Sequence, residues 1–189
     1  MASRPSSNSI ALAGEFAVLS QLAINGIDGG LTLGNTKGVD ILVSDPDTND
    51  MYQLEVKTHL VADGTGATGT RGYWGHNFVW LMDRKHESPG SNSLFYCFVL
   101  ARRSEPFRFF VVPSDVTAHY VRGQHALWLS GDEKRRDNTR RQFRLALSES
   151  GYPLPTPIAA RYEDNWSFSR QSWLTAPSPD AMDPQIRTD

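Results

Sequence analysis

The sequence predicts an α/β fold with one central mixed β-sheet flanked by helices. Three observations carry that reading: a helical spacing near the N-terminus, three short apolar runs in succession after it, and a remainder in which apolar runs mix with a second helix-start signal. The helix comes first. From Ser9 to Asn25, Leu12, Phe16, Leu19 and Ala23 follow one another at four, three and four residues, which marks the main face of a helix, and Gly26 can close it. Short apolar runs separated by turn-forming residues come next and read as strands: LTL at 31–33, VDILV at 39–43 and MYQLEV at 51–56. Two more follow, LFYCFVL at 94–100 and FRFFVV at 107–112. PSDVTAHYV from 113 opens with Pro and Ser and so predicts a helix, while RRQFRLAL at 140–147 fits a strand or a helix equally.

The chain has 189 residues, enough for one domain with a full core and too few for two of ordinary size. A single domain over 9–174 is expected, with a Ser-rich tail at 1–8 and a Pro-rich tail at 175–189. At 39% hydrophobic and 21% charged residues the composition is that of a globular protein. No apolar run approaches the roughly 20 residues of a membrane helix, and the N-terminus lacks a secretory pattern, so a cytoplasmic location is expected. The single cysteine, Cys97, lies inside an apolar run, where a buried inert thiol is expected. A formal charge of −2 excludes nucleic-acid binding through overall charge, so any such contact must be local.

Charged residues inside two of the apolar runs carry the chemistry. If the polar stretch 45–50 is the loop of a symmetric hairpin, Ser44 faces Met51, Leu42 faces Gln53 and Asp40 faces Glu55. Two carboxylates so placed, with Cβ atoms about 4.5–5.5 Å apart, repel each other unless something positive lies between them. Lys57, two residues past Glu55, points to the same face by strand alternation. The first helix adds a third acid. Beside its main stripe runs the row Ala11, Glu15, Val18 and Leu22, so Glu15 stands among residues that should pack on the sheet, where a lone carboxylate is costly. One divalent cation held by Glu15, Asp40 and Glu55, with Lys57 alongside, resolves all three placements. Oxygen ligands select a hard ion, Mg²⁺ with Mn²⁺ as substitute. Such a site suits phosphodiester hydrolysis, in which the metal lowers the pKa of a bound water and Lys57 orients that water or stabilises the oxyanion.

The order of these residues resembles the PD-(D/E)XK nuclease superfamily, which includes restriction endonucleases and Holliday-junction resolvases. Its pattern of a helix-borne Glu, an Asp in a strand and E-x-K in the next strand is similar to Glu15, Asp40 in GVDILV, and Glu55 and Lys57 in LEVKT. The resemblance covers residues 10–58, with Val39 where the name-giving Pro would stand. It implies a restriction endonuclease-like αβββαβ core and a Mg²⁺-dependent endonuclease acting on DNA. It further implies that Asp40, Glu55, the Val56 backbone carbonyl and Glu15 hold the metal while Lys57 serves the water. A cutter of both strands implies a homodimer, and the near-neutral charge leaves room for a partner protein that supplies DNA affinity.

Other features have competing readings. Lys134, Arg135, Arg136, Arg140, Arg141 and Arg144 form a basic segment that can track phosphates or lie as a solvated surface. Lys85 and His86 follow the aromatic run YWGHNFVW and can meet a DNA backbone, and Arg71 in the Gly-rich stretch 63–75 can contact a phosphate. No histidine pair or cysteine pair has zinc-ligand spacing, and the Gly-rich stretch lacks the G-K-[ST] ending of a phosphate loop. The alternatives to a DNA endonuclease are a silent nucleic-acid or protein binding module on the same fold and an RNA- or structure-specific nuclease.

Overall fold

A computed structural model describes residues 5–32, 38–46, 48–61, 75–148 and 152–168. The architecture is mixed α/β, and the chain forms two compact units. The first comprises Met1–Thr65, Ser93–Pro113 and Tyr162–Phe168; the second comprises Gly66–Asn92, Ser114–Arg161 and Ser169–Asp189. No helix among the described residues is long and apolar enough to cross a membrane.

In the first unit, α1 (Ser7–Ile24) starts within the stretch read as a tail, because Ser6 caps it by accepting the Ser9 amide at 3.1 Å. Strands β1 (Asp28–Leu31), β2 (Ile41–Ser44) and β3 (Met51–Leu60) follow. With β5 (Leu94–Ala101) and β6 (Arg108–Pro113) they make a five-stranded sheet in the order β1-β2-β3-β5-β6. Only β3 and β5 pair in parallel. The LFYCFVL run becomes the strand beside β3, buried on both faces from Phe95 to Ala101, which explains its unbroken hydrocarbon.

The packed face of α1 differs from the expected stripe. Gly14, Val18 and Leu22 are buried, while Leu12 and Phe16 are 48% and 58% exposed. Glycines set this rotation. A Cβ on Gly14 would lie 1.8 Å from Thr58 Oγ1, so the helix turns Gly14 toward the sheet, and one on Gly29 of β1 would lie 2.8 Å from Leu22 Cδ1, so the strand leaves room for the helix there.

In the second unit, β4 (Asn77–Asp83) and β7 (Arg140–Ala146) form a two-stranded antiparallel sheet. RRQFRLAL is therefore largely strand. Between β4 and β5 lies a 3₁₀ turn, η1 (Arg84–Glu87), and between β6 and β7 lies α2 (Ser114–Ser130). Phe78, Trp80, Phe143 and Leu145 are buried on one face of this sheet, and the Tyr120 ring of α2 meets Phe143 edge-on at 5.6 Å. The order helix, three antiparallel strands, then a strand parallel to the third is consistent with the expected core. The helix expected between β3 and β5 is not among the described residues; strand β4 and η1 stand there.

Candidate active site

The β2–β3 hairpin has the register derived from its loop: Ser44 pairs Met51, Val43 pairs Tyr52, Leu42 pairs Gln53 and Ile41 pairs Leu54. The ladder changes one residue further on. The Asp40 amide donates to the Leu54 carbonyl at 2.9 Å, so Asp40 and Ile41 both address Leu54, the arrangement of a β-bulge. The bulge re-aims the Asp40 side chain, whose Oδ2 accepts the Val56 amide at 2.7 Å. A carboxylate thus does what a backbone carbonyl would do in an unbroken ladder. On the other side the Asp40 carbonyl accepts the Thr32 amide at 3.0 Å, and Thr32 Oγ1 donates to the Val39 carbonyl at 2.7 Å. Asp40 is fixed from both neighbouring strands.

Glu55 is buried, and its Oε1 lies 2.6 Å from Lys57 Nζ. The alternation of β3 places both on one face, and the Lys57 side chain, 26% exposed, supplies the positive charge that a buried carboxylate requires. Gly38, at a φ of +78°, lies against this group: a Cβ there would stand 3.4 Å from Glu55 Oε2. Both the left-handed backbone and the closeness to the carboxylate favour glycine at this turn.

Glu15 is half-buried on α1, one residue past the Gly14 contact with Thr58. Burial, and after it the charge of Asp40, push its carboxyl above the usual range. Thr58 and Glu55 differ by an odd number on β3, so the helix meets the face opposite to Glu55 and Lys57. Asp40 is the link within the set, with its side chain on Val56 and its charge felt by Glu15. Among the described residues, no three His, Cys, Asp or Glu side chains are gathered as a metal cluster. The donors suited to a hard ion are two carboxylates, Asp40 and Glu55, with the carbonyl of Val56, the residue after Glu55.

The expected substrate contacts are placed differently from one another. Arg71 lies outside the described residues. Lys85, Arg136 and Arg140 are exposed in the second unit. His86 is buried and serves a cap: its Nδ1 accepts the Asp83 amide at 3.1 Å, completing a capping box on η1. Arg135 is half-buried, with its guanidinium 5.2 Å from the Trp128 ring centroid and a hydrogen bond to the Trp128 carbonyl. Arg141 and Arg144, counted with the basic segment, are buried, because β7 turns Arg141 inward onto Glu87 at 2.5 Å.

The sequence reading missed Asp137. Its Oδ1 lies 2.9 Å from His125 Nε2 and accepts from Arg141 at 3.3 Å, and its Oδ2 accepts from Arg84. The His125 bond holds its carboxyl below the usual range, followed by the charges of Arg84 and Arg141. Nothing in local spacing reveals this network, because its members come from η1, α2, the segment before β7 and β7 itself.

No family model matches the chain, and no curated protein matches it. Among solved structures, the chain is similar to a bacterial homing endonuclease, I-Ssp6803I, at 16% identity and a TM-score of 0.49. The likeness covers 86% of this chain and 90% of that one.

Proposed function

We propose that the chain is a Mg²⁺-dependent endonuclease that hydrolyses phosphodiester bonds in DNA, with Asp40, Glu55 and Lys57 at its centre and Glu15 joined to them through its electrostatic contact with Asp40. One observation carries the reading: a buried Glu55 paired to Lys57 at 2.6 Å, next to Val56, whose amide is held by the Asp40 carboxylate. Asp40, Glu55 and the Val56 carbonyl would hold the ion. When bound, such an ion supplies charge neutralisation at the phosphate and a lowered pKa for water.

The chain's own residues do the rest. The hydrogen bond from Val56 fixes the Asp40 carboxylate, so it needs little reorganisation on binding a cation. Lys57 offsets the Glu55 charge through their ion pair. With a second cation present it is the ammonium available to orient water or to meet the charge that builds on the phosphate. Glu15, already biased toward its neutral form, gains its charge most readily when a cation offsets Asp40. Cleavage of both strands takes either two separate events at this single site or a two-fold homodimer, and the homodimer is the arrangement proposed for a concerted double-strand cut.

The test is cleavage of a panel of supercoiled plasmid, linear duplex, single-stranded DNA, branched DNA and RNA in Mg²⁺ and Mn²⁺. Wild type should cut DNA only with metal, and Lys57→Ala should lose at least about a hundredfold in rate, the usual scale for one such electrostatic group. Preferred cutting of RNA or branched DNA would redirect the substrate. Undiminished DNA binding in EDTA with no cleavage in either metal would replace the enzyme by a binding module.

A further inference from the structure

The two-stranded β4–β7 sheet presents an outer face that is buried at its Asn77–Ala146 end and leaves the core toward its Asp83–Arg140 end. Strand alternation and the pairing register put Val79, Leu81 and Asp83 opposite Arg144, Gln142 and Arg140 on that face. The other face holds the buried Phe78, Trp80, Phe143 and Leu145. Exposure on the outer face rises along the sheet: Arg144 is buried, Gln142 is half-buried, Arg140 is exposed, and Leu81 in mid-strand is 76% exposed. A leucine so exposed, flanked by Gln, Arg and Asp, is neither a core residue nor an ordinary polar surface.

We infer that this ribbon reads base pairs in the major groove of duplex DNA, with Arg140–Asp83 and Gln142–Leu81 as two base-pair readers. The inference rests on DNA being the substrate, as proposed above. A two-stranded ribbon fits the major groove, which is about 12 Å wide. The cross-strand pairs match the chemistry of two base pairs. Arg140 suits the O6 and N7 acceptors of guanine while Asp83 opposite it accepts from the N4 amine of cytosine. Gln142 suits the N7 and N6 edge of adenine while Leu81 opposite it meets the thymine methyl group. The two pairs lie two residues apart along the strands, about 6.8 Å, which is two steps of a stacked duplex.

Supporting contacts fix the readers. Arg144 donates to Gln142 Oε1 and so orients the amide from behind. Asp83 is held by the Lys85 amide at 2.9 Å. Exposed cations stand at the end of the ribbon where Asp83 and Arg140 pair, Lys85 on η1 and Lys134 and Arg136 before β7, interleaved with the exposed acids Asp132, Glu133 and Asp137, of which Asp137 is taken up by Arg84. The cations lie where phosphates flanking a read base pair would pass. This charge favours duplex DNA over a protein as the occupant of the exposed leucine.

The experiment is selection of bound sequences from a pool of randomised 30-base-pair duplexes. It uses the full chain in EDTA, with wild type, Lys57→Ala, Arg140→Ala and Gln142→Ala in parallel and circular dichroism confirming that each is folded. Wild type and Lys57→Ala should enrich the same motif, containing a G·C pair and an A·T pair. Arg140→Ala should relax the G·C position and Gln142→Ala the A·T position, each by about tenfold in base preference, with the other position kept. An unchanged motif in folded Arg140→Ala and Gln142→Ala proteins overturns the inference, as does the absence of any motif from wild type. Because the readout is binding, a motif selected by a protein that cuts nothing refutes the nuclease and leaves the ribbon standing.

Discussion

At the scale of single residues, Glu15 gives a sign that can be measured. Its carboxyl titrates above the model-compound value of 4.5, first through burial and then through Asp40. Between the unfolded and folded values the native chain holds more protons than the unfolded one, so stability falls as pH rises through that window. Above it, an ionised Glu15 is a standing cost. Glu15→Gln should therefore raise the melting temperature at pH 7 by about 1–2 °C, a size suited to a solvent-screened group, and leave it unchanged below pH 4.5. A lower melting temperature for the variant at pH 7 would show that the native fold uses the Glu15 charge. Saturating Mg²⁺ should raise the wild-type melting temperature and narrow the difference, as expected for an ion that binds only the folded chain.

At the scale of elements, α1 and β3 meet through one missing side chain. Gly14→Ala should destabilise by about 1–3 kcal/mol, because a Cβ 1.8 Å from Thr58 Oγ1 forces the helix off the sheet. The gain in helix propensity from Gly to Ala, about 1 kcal/mol, offsets part of this. Thr58→Ala in the same chain should restore most of the loss, a coupling that thermal denaturation of the single and double variants would read.

The contact also shows where sequence reasoning ran out. Periodicity found the helix, and its second row held Val18 and Leu22, which are buried, but the main stripe it chose has the exposed Leu12 and Phe16 and leaves out Gly14. A pattern of apolar residues cannot see an approach made possible by the lack of a side chain. The hairpin was legible because loop length and alternation determine register, and four pairs of β2–β3 follow it. Its continuation to Asp40 and Glu55 was not, since the bulge depends on the Asp40 carboxylate reaching the Val56 amide. The joining of Glu55 to Lys57 needed only strand alternation.

At the scale of the whole molecule, the first unit is assembled from three separate stretches of chain. Cys97 lies at the centre of its sheet, fully buried, and burial drives its thiol far above the ordinary range. A thiol reagent should label it no faster than the sheet opens, at a rate that rises with denaturant; rapid labelling in native buffer would contradict its burial. A chain ending at Asn92 lacks β5 and β6 and should be insoluble or unfolded, because one whole edge of β3 then has no partner. The parallel pairing has a further consequence during synthesis. Gln53 meets Leu94, so the partner of β3 is made about forty residues later, a wait of about 2–8 s at ribosomal speeds of roughly 5–20 residues per second. Through that interval the nascent hairpin shows Leu54 and Val56 to solvent, or to whichever chaperone reaches them before β5 emerges.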